Sequence, residues 1–513
     1  MPQPIRPPRA SVLCALTATA LAAACAARAP VSAMPDPHAA DPVGWYEIAP
    51  GHDVLVTWAP ASEQLRLLDF DSARFGALAP SGDHAWVWRF GDEERVVTFE
   101  RDRSGTVTAL RWRGPDGEAA VHSRATEYPF DQQRVRFRSG SVELVGTMMI
   151  PRVRKLVGRT GETLRDVPIV LPAAVIIHGS GSSDRDNVWA FHIAQHVARS
   201  GVVVLLPDKR GSGGSGGDWR SADFEDLASD ALAAAEVLAR HPLVDSTRIG
   251  FIGLSQGGWI APLAASRSPG EPFAVSISGA AVTPGEQVRH EVEQDLRRGS
   301  LGDADVAAVL ALLDRAHAHS RARSDESWSA YDSLRREMLA GPLREAVEPF
   351  PATRDHWQWA WWHDVVDFDP LPLWRDLDGP ALVAYGAEDE SDNVPVRESV
   401  ARLREALAPE REPGNIIRVF EGSGHALGDS ATGWIRDDFL ELLDDWIREH
   451  VGAEQDRPSA HGVGRPGRQP PAPCRRRVDE PLEPRRRRPQ GSFTALTRTA
   501  EDATSGLLPR LDR

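Results

Sequence analysis

The feature that most constrains the fold is the alternation of short, continuous apolar runs with helical patterns between about residues 133 and 451. Helical stretches such as Asp223 to Arg240 and Glu398 to Leu407 separate the apolar runs. Runs that are rich in β-branched residues and lack polar alternation are typical of strands buried on both faces. Strands that alternate with helices predict a mainly parallel sheet covered by helices on both sides. The runs are Ala173 to Ile177, Val202 to Leu206, Ile249 to Leu254, Phe273 to Ile277, Ala381 to Tyr385 and Ile416 to Val419.

One long interruption divides this pattern. From about Pro284 to Trp374 no strand pattern occurs, and the apolar residues recur at helical spacing. We therefore predict a helical cap at 284–375, inserted between a first core part at 133–283 and a second at 376–451. A hairpin that turns at Ser139-Gly140-Ser141 opens the first core part.

The residues before the core show a different pattern of apolar and polar residues. Residues 41–130 contain short alternating runs, among them Asp53 to Trp58 and Arg95 to Phe99, separated by turns of Gly, Asp and Pro. This pattern predicts a small, antiparallel, β-rich accessory domain. We interpret it as a structural or substrate-shielding unit without chemistry of its own.

The first 33 residues are typical of an export signal peptide. Arg6 and Arg9 precede an apolar run that ends at Cys25 and is too short to span a membrane. Cleavage after Ala33 is one expectation, and lipidation of Cys25 is the other, because the residues before it loosely resemble a bacterial lipobox. Simple secretion is favoured, to the periplasm or the exterior. No other segment of the sequence approaches the length of a transmembrane helix.

Composition narrows the possible partners. The formal net charge is −15, although residues 452–513 carry 13 arginines against 8 acidic residues and read as a disordered basic tail. An acidic body argues against nucleic acid as the partner. The only cysteines are Cys14, Cys25 and Cys474, so the body holds no disulfide and no thiolate zinc site. Only Lys155 and Lys209 are lysines, which we attribute to the codon usage of a GC-rich genome.

The motif Gly253-Leu254-Ser255-Gln256-Gly257 carries the chemistry. A serine hydroxyl is a poor nucleophile at neutral pH, so a hydrolase must present it beside a base. Ser255 follows a predicted strand and precedes a predicted helix, which is the strand-turn-helix context of a nucleophile elbow. The flanking glycines leave room for a strained turn. We therefore predict Ser255 as the nucleophile.

The base and the acid should follow later strands, in the chain order serine, acid, histidine. His425 alone among sixteen histidines lies in a Gly-rich loop after the last predicted strand, so it is the predicted base. Asp389 follows the strand Ala381 to Tyr385 and is the predicted acid. Asp392 shares the same loop and stays the second candidate.

The tetrahedral intermediate needs two hydrogen-bond donors directed at its oxygen. The amide of Gln256, directly after the nucleophile, is the first predicted donor. The second should come from the loop His178-Gly179-Ser180-Gly181, for which we select the amide of Ser180.

Together these motifs resemble the α/β-hydrolase superfamily. The resemblance rests on His178 to Asp186, Asp208-Lys209-Arg210-Gly211, Gly253 to Gly258 and Asn393 to Val396, and it covers roughly 133–450. Within the superfamily the motifs are similar to the bacterial esterase and serine-aminopeptidase branch, whose members often carry an N-terminal accessory region. Relatives usually have two residues fewer between the acid and the Val-Pro pair.

The resemblance implies an α/β-hydrolase fold and the hydrolysis of small carboxylic esters, without a cofactor or a metal. The alternatives are a serine peptidase or aminopeptidase that acts on short peptides, and a catalytically silent binding protein with the same fold. A charged anchor for a peptide terminus in the cap would favour the peptidase.

Three other signals are set aside. The run Gly211 to Gly216 matches the dinucleotide pattern G-x-G-x-x-G, but the next predicted helix opens too late and no acidic residue follows the next strand. The tryptophans between 357 and 374 fit packing of the cap better than an acyl pocket. The potential metal ligands His363, Asp364, Asp367 and Asp369 fit no familiar metal spacing.

Overall fold

A computed structural model describes most of the body of the chain. The predicted export segment with Cys14 and Cys25, and the predicted tail with Cys474, lie outside the described residues and stay predictions. The described residues are 42–49, 52–59, 64–69, 74–81, 85–90, 93–113, 119–125, 130–152, 170–299, 301–407, 414–428 and 435–452.

The N-terminal strands form a closed antiparallel barrel. Each strand pairs with the next along the chain, and β1 closes the circle by pairing Tyr46 with Arg124 and Glu47 with Ser123 of β8. Closure removes the exposed sheet edges that a flat antiparallel unit would leave. The strands are β1 (Gly44–Ala49), β2 (His52–Ala59), β3 (Gln64–Asp69), β4 (Arg74–Pro80), β5 (Ala85–Phe90), β6 (Glu93–Arg101), β7 (Val107–Arg113) and β8 (Ala119–Arg124).

The barrel has an apolar interior and packs on the rest of the chain through one outer face. Its interior is filled by buried side chains such as Val56, Leu67 and Trp88. Trp45 points outward, makes an edge-on contact with Phe130 at a centroid distance of 6.5 Å, and shares a buried cluster with the core. The predicted β-rich region is confirmed, and its closure into a barrel is a finding of the structure.

A second sheet of eight strands forms the core, in the order β16-β15-β14-β13-β11-β12-β10-β9. β9 and β10 form the expected hairpin and join β12 in antiparallel fashion, while the remaining neighbours are parallel. The strands are β9 (Phe130–Ser139), β10 (Val142–Pro151), β11 (Leu171–Ile177), β12 (Val203–Pro207), β13 (Val244–Leu254), β14 (Ala274–Ile277), β15 (Ala381–Gly386) and β16 (Ile416–Phe420).

Helices cover both faces of this sheet. The helices in chain order are α1 (Val188–Arg199), α2 (Phe224–Ala239), α3 (Gly257–Ala265), α4 (Pro284–Arg298), α5 (Asp303–Ala322), α6 (Asp325–Leu339), α7 (Arg344–Val347), α8 (Trp357–Val365), α9 (Leu371–Arg375), α10 (Val396–Ala406) and α11 (Asp437–Trp446). Val175 of β11 packs among α2 and α3, while its neighbour Ile176 packs on the opposite face among α1 and α11. Successive side chains of a strand point to opposite faces, so burial of both faces requires the continuous apolar runs.

The helical interruption is an insertion between β14 and β15 that contains α4 to α9. Helix α4 begins with a capping box, in which Thr283 and Glu286 satisfy each other's backbone amides. Trp359 and Trp362 are buried, and the Trp361 Nε1–H donates to the Ala222 carbonyl at 3.0 Å. These tryptophans therefore pack the cap internally and bind it to the core.

The fold class predicted from the sequence is confirmed. The division of the chain into domains at particular residues stays a prediction. None of the described helices is both long enough and apolar enough to cross a membrane.

Candidate active site

The predicted site residues follow strands that end at one edge of the core sheet. Ser180 follows β11, Ser255 follows β13, Asp389 follows β15 and His425 follows β16. The carboxyl ends of parallel strands meet at the same edge, which is where open α/β sheets bind ligands. β11 and β13 are neighbours, so the loops that carry Ser180 and Ser255 are adjacent.

Ser255 lies in a strained turn between β13 and α3. Its φ is 52°, in the left-handed region that non-glycine residues rarely adopt. The turn is held because the Ser255 amide donates to the Ile277 carbonyl at 2.9 Å and the Ser255 carbonyl accepts from Gly258 at 2.8 Å. Strain that the surroundings maintain at a half-buried serine is typical of a nucleophile elbow.

Two glycines make this turn sterically possible. A Cβ on Gly253 would overlap the Gly257 carbonyl, and a Cβ on Gly257 would overlap the carbonyl oxygen of Ile177 at the end of β11. Both clashes are with backbone atoms, which cannot move aside as a flexible side chain can. Gly253 is therefore required by the tightness of the turn itself, and Gly257 by the close approach of the turn to β11.

His425 is bound to Asp389. The His425 Nδ1–H donates to Asp389 Oδ2 at 2.7 Å, and the Asp389 side chain is fully buried. An ionised carboxylate can only accept, so the bond fixes the proton on Nδ1 and leaves Nε2 to act as a base. The ring centroids of Trp189 and His425 lie 5.7 Å apart, with the two ring planes tilted by 59°.

The second acid candidate, Asp392, has a different partner. Asp392 forms an ion pair with Arg298 of α4 at 2.7 Å and is a third exposed. The amides of Asp392, Asn393 and Val394 all donate to the Asp389 carbonyl. The two extra residues thus form a compact turn after Asp389, and the structure brings His425 together with Asp389, while Asp392 pairs with Arg298.

The two predicted oxyanion donors are adjacent to Ser255. A Cβ on Gly179 would lie 3.3 Å from the Ser255 Cβ, so the loop after β11 contacts the elbow directly. Within the described part of the chain, neither the Ser180 amide nor the Gln256 amide donates a hydrogen bond. Backbone amides in folded proteins are nearly always paired, so two free ones beside a serine are available to a substrate oxygen.

Two buried side chains hold the loop after β11. The His178 Nε2–H donates to the Pro207 carbonyl at 2.7 Å, and Nδ1 accepts from the Ser183 hydroxyl at 3.0 Å. Burial lowers the pKa of His178 to about 4, so the ring is neutral at pH 7 and can make both bonds. Lys209 donates from Nζ to the Gly179 carbonyl at 2.8 Å.

The sequence analysis assigns no catalytic or positioning role to Lys209. Lys209 is one of two lysines in a chain with 59 basic residues, and the codon usage of a GC-rich genome accounts for that scarcity without any function. A low number of lysines does not by itself show whether a particular lysine has a function. Only the tertiary structure shows that its ammonium group is buried and which two oxygen atoms accept its hydrogen bonds.

The cap contributes a carboxyl group to the same region. Glu291 of α4 accepts from Gln287 Nε2 at 3.3 Å, and Gln287 Nε2 also donates to the Asn393 carbonyl at 2.8 Å. Burial, assisted by the charges of Asp295 and Asp392, raises the pKa of Glu291 to about 7, and the charge of His425 opposes that rise. A titratable carboxyl of the cap therefore lies within electrostatic range of His425.

The signals set aside above occupy structural positions. In the glycine run, the Gly214 amide donates to Asp208 Oδ2 at 2.7 Å and the Gly216 amide donates to the Glu143 carbonyl at 2.8 Å. In the cap, Asp367 forms an ion pair with Arg321. No cluster of three potential metal ligands occurs among the described residues.

Comparison with known proteins assigns the family. A family model described as the alpha/beta hydrolase family matches residues 174–438, which is more than half of the chain. The chain belongs to the alpha/beta hydrolase family. The resemblance inferred from the motifs is confirmed, and the match includes both the elbow and the loop of His425.

Curated relatives within the alpha/beta hydrolases include peptidases and an esterase. Dipeptidyl peptidase family member 1 of Caenorhabditis elegans is 30% identical over 128 residues, which are 23% of this chain and 16% of that protein. Esterase EstD of Thermotoga maritima is 25% identical over 223 residues, or 42% of this chain and 46% of that protein. The chain thus spans less than half the length of these relatives.

Solved structures that are similar to this chain include an esterase of Pyrococcus furiosus. It matches with a TM-score of 0.39 and 15% identity, over 63% of this chain and 92% of that chain.

The close approach at the elbow gives a first prediction. Gly257→Ala places a methyl group against the Ile177 backbone, and we expect it to destabilise the fold by about 1–3 kcal/mol or more. Gly341→Ala is the matched control, because a Cβ there would make only ordinary contacts at an exposed turn. Urea denaturation followed by tryptophan fluorescence measures both. Equal midpoints for the two variants would contradict the steric explanation.

Proposed function

We propose that the protein is a serine hydrolase that cleaves carboxylic esters through an acyl-enzyme intermediate. The observation that carries the proposal is the buried Asp389–His425 hydrogen bond at the sheet edge where the strained Ser255 turn also lies. The similarity to alpha/beta hydrolases supports the general class of hydrolase. The ester specificity and the roles of individual residues belong to the proposal.

The first half of the reaction forms the acyl-enzyme. His425 Nε2 removes the proton from Ser255 Oγ as the oxygen attacks the ester carbonyl carbon. The carbonyl oxygen becomes an oxyanion, which accepts hydrogen bonds from the Ser180 and Gln256 amides. The tetrahedral intermediate collapses as the C–O bond to the alcohol breaks, and the imidazolium of His425 returns its proton to the leaving alkoxide.

The second half releases the acid. His425 Nε2 removes a proton from water, the resulting hydroxide attacks the acyl carbon, and the Ser255–acyl bond breaks with return of the proton to Ser255 Oγ. Asp389 stays ionised throughout and stabilises the imidazolium at each step, because its carboxylate accepts from Nδ1–H. All of these steps use groups of this chain.

A second candidate function is the removal of residues from the N-terminus of short peptides. The observation that favours it is Glu291, a carboxyl of the cap within electrostatic range of His425. An ionised carboxylate in that position attracts the α-ammonium group of a peptide and directs the first peptide bonds toward Ser255. Peptidases occur among the relatives, including the dipeptidyl peptidase of Caenorhabditis elegans.

We also propose that the protein is exported. Arg6, Arg9 and the apolar run to Cys25 support this, and secretion after cleavage is preferred over lipidation of Cys25. Mass spectrometry of the N-terminal peptide distinguishes a free terminus after Ala33 from a lipidated Cys25.

Covalent labelling tests the nucleophile. We expect a fluorophosphonate probe to label the wild-type protein and not Ser255→Ala, because the probe needs an activated serine oxygen. Turnover of p-nitrophenyl esters should be lost in the same variant. Equal labelling of the two proteins excludes Ser255 as the nucleophile, and absence of labelling in the wild type favours a catalytically silent protein.

A pair of substitutions tests the acid. Asp389→Asn should lower kcat for p-nitrophenyl acetate by about 10⁴-fold, because the amide no longer fixes the tautomer of His425. Asp392→Asn, in the same turn but paired with Arg298, should leave kcat within about 2-fold, as expected for a half-exposed pair. Steady-state kinetics of both variants provide the measurement. A large loss only in Asp392→Asn reverses the assignment.

The pH dependence of substrate affinity tests the peptidase candidate. The pKa of Glu291 is raised to about 7, so its carboxyl is protonated below that pH and ionised above it. If Glu291 binds a peptide α-ammonium group, KM for aminoacyl p-nitroanilides should fall as the pH rises through 7. In Glu291→Gln that dependence should disappear and KM should rise about 10-fold, since a hydrogen bond to a charged group is worth about 1.5–3 kcal/mol.

Glu293→Gln is the control for this prediction, because Glu293 lies on the same helix and pairs with Arg297 at 2.9 Å. KM for uncharged esters should not change in either variant. If aminoacyl amides are not cleaved, or Glu291→Gln and Glu293→Gln behave alike, the peptidase candidate is wrong.

A further inference from the structure

Lys209 occupies a buried position behind the elbow. It follows β12, and 8% of its surface is exposed. Its backbone is held on both sides, since its amide donates to the Ser183 carbonyl at 3.0 Å and its carbonyl accepts from the Ser212 amide at 2.9 Å. Because its backbone is held in this way, the Lys209 side chain starts from a fixed position.

The ammonium group of Lys209 joins the two segments that carry the oxyanion donors. Nζ donates to the Gly179 carbonyl at 2.8 Å and to Gln256 Oε1 at 2.8 Å. Gly179 directly precedes Ser180, and Gln256 directly follows Ser255. One side chain therefore binds a residue on each side of the proposed oxyanion site.

The contact with Gly179 fixes the direction of the Ser180 amide. The Gly179 carbonyl and the Ser180 N–H belong to one peptide unit, which is planar and trans, so the two bonds point in opposite directions. When Lys209 holds the carbonyl oxygen from behind, the N–H is directed to the other side of the loop. The loop itself lies against the elbow, because a Cβ on Gly179 would be 3.3 Å from the Ser255 Cβ, so Lys209 fixes this amide in a segment that contacts Ser255.

We propose that Lys209 is a positioning residue that holds the Ser180 and Gln256 amides in place for the oxyanion of the tetrahedral intermediate. The inference rests on the proposed function. Lys209 acts through Gly179 and Gln256 and does not contact the reacting atoms. Preorganised donors cost no rearrangement when charge develops, which is why their placement affects the rate more than substrate binding.

The residue type fits this role. The neighbouring Arg210 uses its planar guanidinium for Asp230, with two hydrogen bonds of 2.7 Å. Lys209 instead presents a compact group with several donors to two acceptors that lie in different segments. Burial lowers the pKa of Lys209 to about 7, against the opposing charge of Asp230, and the nearby His178 is neutral. Even a neutral amine keeps two N–H donors, so both contacts survive its deprotonation.

Lys209→Met tests the proposal, because it keeps the length of the side chain and removes the donors. We expect kcat for p-nitrophenyl acetate to fall by about 10- to 100-fold with KM within about 2-fold, below the loss from deleting an oxyanion donor outright. Affinity for an alkylboronic acid, which forms a tetrahedral adduct with the serine, should fall by a similar factor. Affinity for the carboxylate product, which forms no such adduct, should not change.

Arg210→Met is the matched control. It removes the adjacent buried cation, which touches neither Gly179 nor Gln256, so it should lower the thermal midpoint and leave kcat of the folded enzyme unchanged. Gln256→Met is the second variant and keeps the amide while it removes the acceptor of Lys209; it should lower kcat by less than Lys209→Met does. A folded Lys209→Met with wild-type kcat and boronate affinity overturns the proposal.

The same result for Lys209→Met and Arg210→Met also overturns it, because the effect would then be structural. If Lys209→Met does not fold, wild-type kcat and boronate affinity in Gln256→Met count against the proposal. Failure of the proposed function itself gives a different pattern, since the fluorophosphonate probe would then label the wild type no more than Ser255→Ala.

Discussion

The contact between the elbow after β13 and the end of β11 is the constraint on which the site depends. β11 and β13 are parallel neighbours in register, with Ile177 beside Gly253. Gly257 then approaches the Ile177 carbonyl so closely that no side chain fits between them. This approach places Ser255 beside Gly179, and it explains why a left-handed serine and two glycines occur within five residues.

The buried polar residues around this contact have different partners: Asp389 binds a side chain, whereas His178 and Lys209 bind the backbone of the surrounding loops. Asp389 is fully buried and bound to His425, and in the proposed mechanism it stabilises the positive charge that the ring gains during the reaction. His178 is buried and kept neutral, and it serves the backbone of the loop that it begins. Lys209 binds the Gly179 carbonyl and the Gln256 side-chain oxygen, so it links the two loops that carry the amides.

The cap contacts the site from outside the sheet, whereas the barrel packs on the core. The cap reaches the acid turn through Gln287, which binds the Asn393 carbonyl, and through Arg298, which pairs with Asp392. Glu291 lies on the same helix, so the proposed selection of peptide substrates and the contacts to the turn after Asp389 would share one element. The barrel packs on the face formed by α1, where Arg199 lies 4.8 Å over the ring of Trp45. It contributes packing to the core and no residue to the site described above.

The sequence by itself determined the fold class and the identity of the main candidates. Burial of a strand on both faces requires continuous apolar residues, and the strained turn requires Gly253 and Gly257, so these features are local and can be read from the chain. Pairings between distant residues were decided only by the tertiary structure. Closure of the barrel depends on Tyr46 meeting Arg124, and only the folded chain shows that Asp389 meets His425 while Asp392 pairs with Arg298. The position of Lys209 behind two loops belongs to the same class, because a side chain's partners and its desolvation depend on residues that are remote in sequence and adjacent only after folding.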